Sequence, residues 1–528
     1  MSTPERLVSQ TLAPAAVPVP ETQAARRTAV GARAWLVTAF LFLLPVVTYW
    51  PATFHEYGLR DDYSNLRESH EEIGKILQFC ASHARPIYGW LLQSTYGQTS
   101  SVHNLEWTRL FASFLLGSLS LVMYRGLRAL GWPSGSSLCV AALVSWLPSS
   151  QVIAGWAVGW PYAAAALTAA AAFFAVEGAR STRPAGNARF ARQWTLGAGL
   201  LAVSALIYQP SALFYVVPMA GALIARRERG LTATARWALA HVVLIFTSLG
   251  FAYCTMTALY SAGVFVKSAR IAFEHDWSGK IAWFLSEPLP NALSLFVLND
   301  DHHRDRALYL GCAAAAALIL AAGACLEWKR HGRERGMVWT AGLLGLPLLA
   351  FSVSLLAAER YATYRTALAL TAVLVCFLVV SLRALTERWN PANLRLLTAL
   401  ALTVAFVMAR HHVNALIAVP QGNEWQLILQ GARHVHLTPA DKPRVFAIAS
   451  GPADISTATI YHDEFGSLSS NSEWVPKEMF KRAMHDLHPE IANIDARYEF
   501  AEGYKLPAGQ HYDLIIDMRR LRQFYTDD

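Results

Sequence analysis

Apolar runs long enough to cross a bilayer recur along most of the chain, separated by short polar stretches. A membrane-spanning helix needs about 20 mostly apolar residues. The pattern predicts about eleven spans, near residues 34–53, 107–124, 136–155, 160–177, 194–208, 210–225, 237–260, 307–327, 337–357, 364–383 and 396–418. We therefore expect an all-α polytopic membrane bundle, occupying residues 34–419.

The two ends of the chain have a different pattern. Residues 1–33, with "TLAPAAVPVP", are typical of a disordered tail. Residues 420–528 have a soluble composition and contain a predicted strand "RVFAIAS", a helix "PKEMFKRAMHDLH" and a strand "YDLIIDMR". This last segment is predicted to form a small C-terminal α/β domain.

Basic residues indicate how the bundle is oriented, because cytoplasmic loops are enriched in Lys and Arg. Such residues follow alternate spans, at Arg125/Arg128, Arg180/Arg183/Arg189/Arg192, Arg226/Arg227/Arg229/Arg236, Lys329/Arg330/Arg333/Arg335 and Arg383/Arg388/Arg395. The amino terminus is then cytoplasmic and the carboxyl terminus lies outside. Loops 54–106 and 261–306 and the turn at 357–365 also face outward.

Composition supports the membrane assignment and excludes a nucleic-acid partner. The chain is 54% hydrophobic and 16% charged, with a mean hydropathy of +0.28. An ordinary soluble domain has about 25% charged residues. The net charge is +8, yet residues from 421 onward contain 11 Lys/Arg against 16 Asp/Glu. The basic surplus therefore belongs to the membrane part, where it indicates anchoring. Five of the six cysteines lie in or beside spans, so no internal disulfide is predicted.

The first outer loop is predicted to contain two short helices. Ser69 and Glu72 match a capping box, and Ile73, Ile76, Leu77 and Cys80 follow at helical spacing, as in a helix lying on the bilayer surface. Pro86 suits the first position of a second helix.

Asp61 and Asp62 stand before these helices, and Arg85 stands between them. Carboxylates held near the headgroup boundary are partly desolvated, so one of them can accept a proton from an attacking hydroxyl. They can alternatively ligate a divalent cation, such as Mg²⁺ or Mn²⁺, that neutralises a phosphate leaving group. The competing interpretation is a helix cap with a solvated neighbour.

Cationic residues in the outer loops are candidates for binding a phosphate. An Arg at a helix start is disfavoured by the helix dipole, and positive charge outside opposes the orientation rule, so both features favour an anionic partner. The candidates are Arg85, Arg360, Arg365, His302, His303 and Arg304. The cluster "NDDHHRDR" at 299–306 could also bind a metal or be hydrated surface.

Aromatic and amide side chains are candidates for hydrogen bonds to a sugar or acceptor, namely Tyr208, Gln209 and Tyr361. Tyr208 can also be interpreted as a residue of the aromatic belt. Three tryptophans, Trp107, Trp156 and Trp160, are interpreted as anchors at the membrane interface.

Four short segments together resemble the GT-C class of membrane glycosyltransferases, and in particular the bacterial family that adds glucose to O-antigen: "RDDYSN", "RPIYGWLLQ", "LIYQPSALFYVV" and "ERYATYRTALAL". The resemblance covers the layout of residues 34–418 and leaves the C-terminal domain unassigned. It implies an essential acidic residue in the first outer loop. It also implies inverting transfer of a sugar from a polyprenyl-phosphate carrier to a periplasmic glycan, by a protein of the bacterial inner membrane.

Three alternatives remain open at this point. The acceptor could be pilin or another exported protein. A transporter or flippase for a lipid-linked glycan would also have many spans, although it would carry ionisable groups at mid-membrane depth. A phosphoethanolamine or acyl transferase would need a nucleophile that the sequence does not reveal.

Overall fold

The structure is a computed structural model that describes the backbone of residues 23–181, 187–226, 230–299, 306–361, 363–437, 442–451 and 464–525. The chain divides into two units, Met1–Phe40 and Leu41–Asp528. All packing described below lies within the second unit.

Helices account for nearly all of the membrane part, as the long apolar runs predict. The first eleven are α1 (Gln23–Thr53), α2 (Asp61–Glu71), α3 (Lys75–Ser82), α4 (Pro86–Tyr96), α5 (Leu105–Ala129), α6 (Ser134–Trp146), α7 (Pro148–Gly155), α8 (Trp160–Ser181), α9 (Asn187–Ile207), α10 (Gln209–Ala212) and α11 (Val216–Ala225). The next eight are α12 (Leu231–Ser261), α13 (Trp277–Ser286), α14 (Pro288–Leu293), α15 (Ala307–Ala350), α16 (Ser352–Leu356), α17 (Leu368–Leu385), α18 (Pro391–His411) and α19 (Val419–Arg433). A π-helical segment, His412–Ala418, joins the last two.

Seven helices among the described residues are long and apolar enough to cross a membrane, or eight if the bent pair α6 and α7 forms one span. The count of eleven is therefore not confirmed. Part of the difference lies in α15, which contains 44 residues and non-helical backbone at Gly332, so that two predicted spans fall on its two halves. Two further predicted spans, 194–208 and 210–225, fall on α9 and on the short apolar stretch Gln209–Ala225.

Small residues allow the helices of the bundle to approach one another closely. A Cβ atom added to Gly117 of α5 would lie 2.1 Å from the carbonyl oxygen of Phe42 on α1. A Cβ on Gly126 would similarly overlap the ring of Phe174 on α8. Small residues at helix contacts are a common feature of membrane bundles, since backbones then pack directly.

A buried polar cluster joins α8, the end of α11 and α12. Glu177 pairs with Arg226 and accepts a hydrogen bond of 3.0 Å from Trp237. His241 is fully buried: its Nε2 lies 3.5 Å from the same Glu177 oxygen, and its Nδ1 lies 2.7 Å from the Tyr215 hydroxyl. Buried polar groups are retained when they satisfy one another in this way.

The loop at 54–106, called the first outer loop after its predicted orientation, contains three helices, and the predicted capping box is wrong. Ser69 lies inside α2, where its hydroxyl donates to the Leu66 carbonyl, and Glu72 caps the end of that helix. The next helix begins only at Lys75, after Gly74 turns the chain with φ 92°, a conformation that glycine adopts without strain. Pro86 begins α4 as predicted.

The predicted α/β elements of the C-terminal region are confirmed. Strand β1 (Arg444–Ile448) lies between β2 (Glu499–Gly503) and β3 (Leu514–Asp517), and both pairings are parallel. Helix α20 (Val475–Leu487) connects β1 to β2 and buries Met479 and Phe480, as the crossover between parallel strands requires. The strand β2 was not predicted, because "EFAEG" is short and only partly apolar.

Candidate active site

The site begins at the start of α2, where the two adjacent acids have different surroundings. Asp62 is fully buried: its Oδ2 accepts a hydrogen bond of 2.8 Å from the Leu59 amide, and its Oδ1 accepts one from the Tyr96 hydroxyl. Asp61 is exposed. Asp62 therefore anchors the loop onto α4, while Asp61 presents its carboxylate at the surface of the loop.

Burial raises the pKa of Asp62 to about 7, against the opposing effect of its hydrogen bonds to Tyr96 and Leu59. Because both oxygens of Asp62 already accept hydrogen bonds, a cation shared with Asp61 would have to displace one of these donors. Among the described residues, the side chains that could together hold a metal ion are those of Glu71, His485 and Asp495. This group does not include Asp61 or Asp62.

Arg85, Tyr208 and Gln209, distant in sequence, are brought together by the fold. The Arg85 guanidinium lies 4.8 Å from the centre of the Tyr208 ring, a distance at which cation–π attraction operates. Gln209 Nε2 donates to the Ala84 carbonyl at 2.6 Å. The Nε atom of Arg85 is buried and has no hydrogen-bond acceptor in the described part of the chain. A buried guanidinium N–H of this kind is suited to an incoming anionic oxygen.

Arg365 contacts a second pair of aromatic rings, those of Trp156 and Tyr361. Its guanidinium lies 4.9 Å from the ring of Trp156, and its Nη2 donates to the Tyr361 hydroxyl at 3.2 Å. Arg85 and Arg365 are both close enough to Tyr208 for their charges to act on its hydroxyl. Each of the two guanidinium groups thus lies against a buried aromatic ring, and the ring of Tyr162 lies 4.2 Å from that of Tyr208.

Trp156 connects these arginine–aromatic contacts to the loop that carries Asp61 and Asp62. The prediction that it anchors the chain at the membrane interface is therefore corrected. Trp156 is only 4% exposed, and its Nε1 donates to the Leu59 carbonyl at 3.0 Å while Arg365 packs over its ring. Trp160 is also buried, whereas Trp107 is 60% exposed. The sequence contained no signal for this difference, because every tryptophan near a span end fits an interface position.

Along the chain, Asp61 precedes α3 and Arg85 follows it. Burial raises the pKa of the Cys80 thiol to about 12, and the charges of Arg85 and Asp61 act on it in opposite directions.

Arg360 does not join the cluster. It forms an ion pair of 2.8 Å with Asp276 and a longer one of 3.6 Å with Glu274, both in the loop 261–306. The Gly279 amide and Arg360 together lower the pKa of Asp276 to about 2. The charge of Arg360 is thus already balanced. The other predicted phosphate ligands, His302, His303 and Arg304, lie outside the described residues.

Comparison with known proteins finds a likeness in structure but none in sequence. No protein-family model matches the chain, and no curated protein matches its sequence. The chain is similar to the crystal structure of an oligosaccharyltransferase from Archaeoglobus fulgidus tethered to an acceptor peptide, with 12% identity and a TM-score of 0.43. The match covers 85% of this chain and 63% of that protein, less than two thirds of its length.

Proposed function

We propose that this protein is a membrane glycosyltransferase that transfers a sugar from a polyprenyl-phosphate-linked donor to an acceptor on the periplasmic face of the bacterial inner membrane. The observation that carries the proposal is a pair of guanidinium groups held on aromatic rings, Arg85 on Tyr208 and Arg365 on Trp156, with Trp156 also bonded to the loop that exposes Asp61. The helices long enough to cross a membrane supply the apolar surroundings that a polyprenyl chain needs.

The two arginines suit the donor phosphate. A guanidinium donates paired, charge-assisted hydrogen bonds to phosphate oxygens, and it also stacks on aromatic rings. Arg85 and Arg365 both contact such rings, so each would be held in place before a phosphate arrives. Their charge would stabilise the polyprenyl phosphate as it leaves with additional negative charge.

The aromatic side chains beside the arginines are suited to binding the sugar. Rings with a polar tip present an apolar face and a hydrogen-bonding group at once. Tyr208 and Tyr361 supply hydroxyls beside the arginines, while the buried Trp156 ring supports Arg365. We expect sugar hydroxyls to bond the hydroxyl groups of these tyrosines.

Asp61 is the residue we assign as general base. In the proposed step, an acceptor hydroxyl oxygen forms a bond to the anomeric carbon, and the bond from that carbon to the phosphate oxygen breaks. The hydroxyl proton passes to Asp61, and polyprenyl phosphate leaves with the bonding electron pair. Attack from the side opposite the leaving group inverts the anomeric centre. Asp62 has both oxygens engaged, so its role is to hold the turn from which Asp61 projects.

The acceptor we propose is a cell-surface glycan such as O-antigen, which the resemblance of the four short segments implies, with pilin or another exported protein as the second candidate. Mass spectrometry of surface polysaccharide and pilin from strains with and without this gene separates the two. A hexose missing from one of them identifies the acceptor and the sugar together.

The decisive experiment measures transfer by the purified full-length protein in lipid nanodiscs, using polyprenyl-phosphate hexoses as donors. A positioned base contributes about 10² to 10⁴ in rate, so Asp61→Asn should bind polyprenyl phosphate normally and transfer at least about a hundredfold more slowly. Activity that resists a chelator favours the base, whereas restoration by Mg²⁺ or Mn²⁺ favours a cation at Asp61. Near-normal transfer by Asp61→Asn would refute the assignment, and near-normal transfer by Asp62→Asn and the double variant as well would remove the loop from the reaction.

Substitutions of two arginines, Arg365 and Arg360, form the second part of the same experiment. Arg365→Lys loses the planar group that stacks on Trp156, so binding of polyprenyl phosphate should weaken by about tenfold or more. Arg360→Lys is the matched control, because Asp276 and Glu274 balance that charge, and it should change binding by less than about threefold. Donor binding and lipid translocation without any transfer would identify a transporter instead.

A further inference from the structure

A buried segment of the C-terminal region touches both sides of the candidate site. We call residues 464–471 the bridging segment; they lie before α20, in a stretch to which the sequence assigned no role. Its members Glu464, Ser467, Ser469 and Ser470 are all at most 3% exposed. Polar groups buried this deeply are retained only where partners satisfy them.

On one side, the bridging segment holds Arg365. The two oxygens of Glu464 accept hydrogen bonds from consecutive backbone amides, 2.8 Å from Tyr364 and 3.2 Å from Arg365. The same carboxylate lies 3.7 Å from the Arg365 Nε. Glu464 therefore fixes both the backbone and the side chain of a proposed phosphate ligand.

On the other side, the bridging segment holds Arg60, the residue before Asp61. The Arg60 amide donates to Ser469 Oγ at 2.9 Å, and its guanidinium donates to Ser467 Oγ at 2.7 Å. Arg60 has φ 45° and ψ −100°, a conformation unusual for a residue with a side chain. Strain of this kind persists only where the surroundings enforce it, and the serine hydroxyls are part of that enforcement.

Helix α19 anchors the bridging segment in turn. Glu424 accepts from the amides of Ser469 and Ser470, at 2.7 and 2.9 Å. Gln421 accepts from Ser469 Oγ at 2.5 Å and donates to the Ser467 carbonyl at 2.7 Å. The hydroxyl of Ser469 thus donates to Gln421 while it accepts from Arg60.

We propose that the bridging segment is a positioning element of the transfer reaction, in which Glu464 places Arg365 and Ser469 places Arg60 and, through it, Asp61. This inference rests on the proposed function. It makes the C-terminal region part of the reaction centre, because one short stretch fixes the phosphate ligand and the base relative to each other.

The first test does not depend on activity. Hydrogen–deuterium exchange of the full-length protein should show faster exchange near Arg60 in Ser469→Ala and near Tyr364–Arg365 in Glu464→Gln, each without change at the other position. Glu478→Gln is the matched control, since Glu478 also joins the C-terminal region to the first outer loop, through Arg67 at 2.7 Å. It should leave exchange at both positions as in the wild type.

The second test separates positioning from a general loss of structure. Ser469→Ala should lower kcat about tenfold at unchanged donor KM, because it acts on the base, while Glu464→Gln should raise donor KM about tenfold, because it acts on Arg365. Glu478→Gln should change neither constant. Wild-type kinetics in both variants, or an equal fall in kcat without a KM difference, would overturn the proposal. A wild-type protein that transfers no sugar would instead overturn the proposed function.

Discussion

At the scale of single residues, Asp62 should make the stability of the protein depend on pH. Its pKa is about 7 in the folded protein, above the ordinary value of 3.8. Between these values the unfolded chain releases a proton that the folded protein retains, so this group makes folding less favourable as pH rises through the window. Below about pH 4 its contribution is complete, and above about pH 7 it is lost.

Asp62→Asn should remove that dependence. The oxygen of an Asn side chain can accept a hydrogen bond from the Leu59 amide, and its nitrogen can donate one to the Tyr96 hydroxyl. The variant therefore keeps a hydrogen bond to each partner of Asp62. The variant should gain stability relative to the wild type between pH 4 and pH 8. Thermal unfolding at several pH values measures this, with exposed Asp61→Asn as control. Parallel pH profiles for wild type and Asp62→Asn would contradict the prediction.

At the scale of elements, the contact of α5 with α1 should depend on a glycine. Gly117→Ala places a Cβ atom against the Phe42 backbone, where no flexible side chain can move aside. Overpacking of this kind costs about 1–3 kcal/mol. The unfolding temperature of the variant should fall by a few degrees, measured in detergent by the fluorescence of a thiol-reactive dye or by static light scattering.

Gly250→Ala is the control for Gly117. Gly250 lies in the exposed part of α12, and an added Cβ atom meets nothing within 4 Å. Because Ala is the better helix former by about 1 kcal/mol, this variant should match or exceed the wild type. A loss of stability equal to that of Gly117→Ala would show that the close approach to Phe42 is not the cause.

At the scale of the whole molecule, the active-site elements must share one face of the membrane. The bridging segment contacts both Arg60 in the first outer loop and Arg365 in the late turn. If the basic loops are cytoplasmic, we expect an inside amino terminus and an outside C-terminal region. A reporter active only in the periplasm should work when fused after Asp528 and fail when fused after Met1.

A reporter placed in the basic stretch at 329–335 provides the control, since it should also be inactive. If the fusion after Asp528 behaves as cytoplasmic, the number of spans is even. The assignment of the first outer loop to the periplasm would then fail with it.

The amino-acid sequence by itself determined the helical class of the membrane part and most of the C-terminal α/β elements. These features depend on local information: a long apolar run must hide its backbone polar groups in a helix, and alternating or amphipathic stretches define strands and surface helices. The sequence also determined which chemical groups were available. It contains two adjacent acids in the first outer loop, together with the arginines Arg85 and Arg365.

Only the tertiary structure decided which of these groups meet. Asp61 and Asp62 are identical in type and adjacent, yet one is exposed and the other buried, because Tyr96 and Leu59 enclose only the second. Arg360 and Arg365 also differ in their surroundings: the first is 40% exposed and pairs with Asp276, whereas the second packs on Trp156 and lies 3.7 Å from the buried Glu464. Such partners lie far away along the chain, so no local pattern encodes them. A side chain meets such a partner only when helix packing places one helix end beside another.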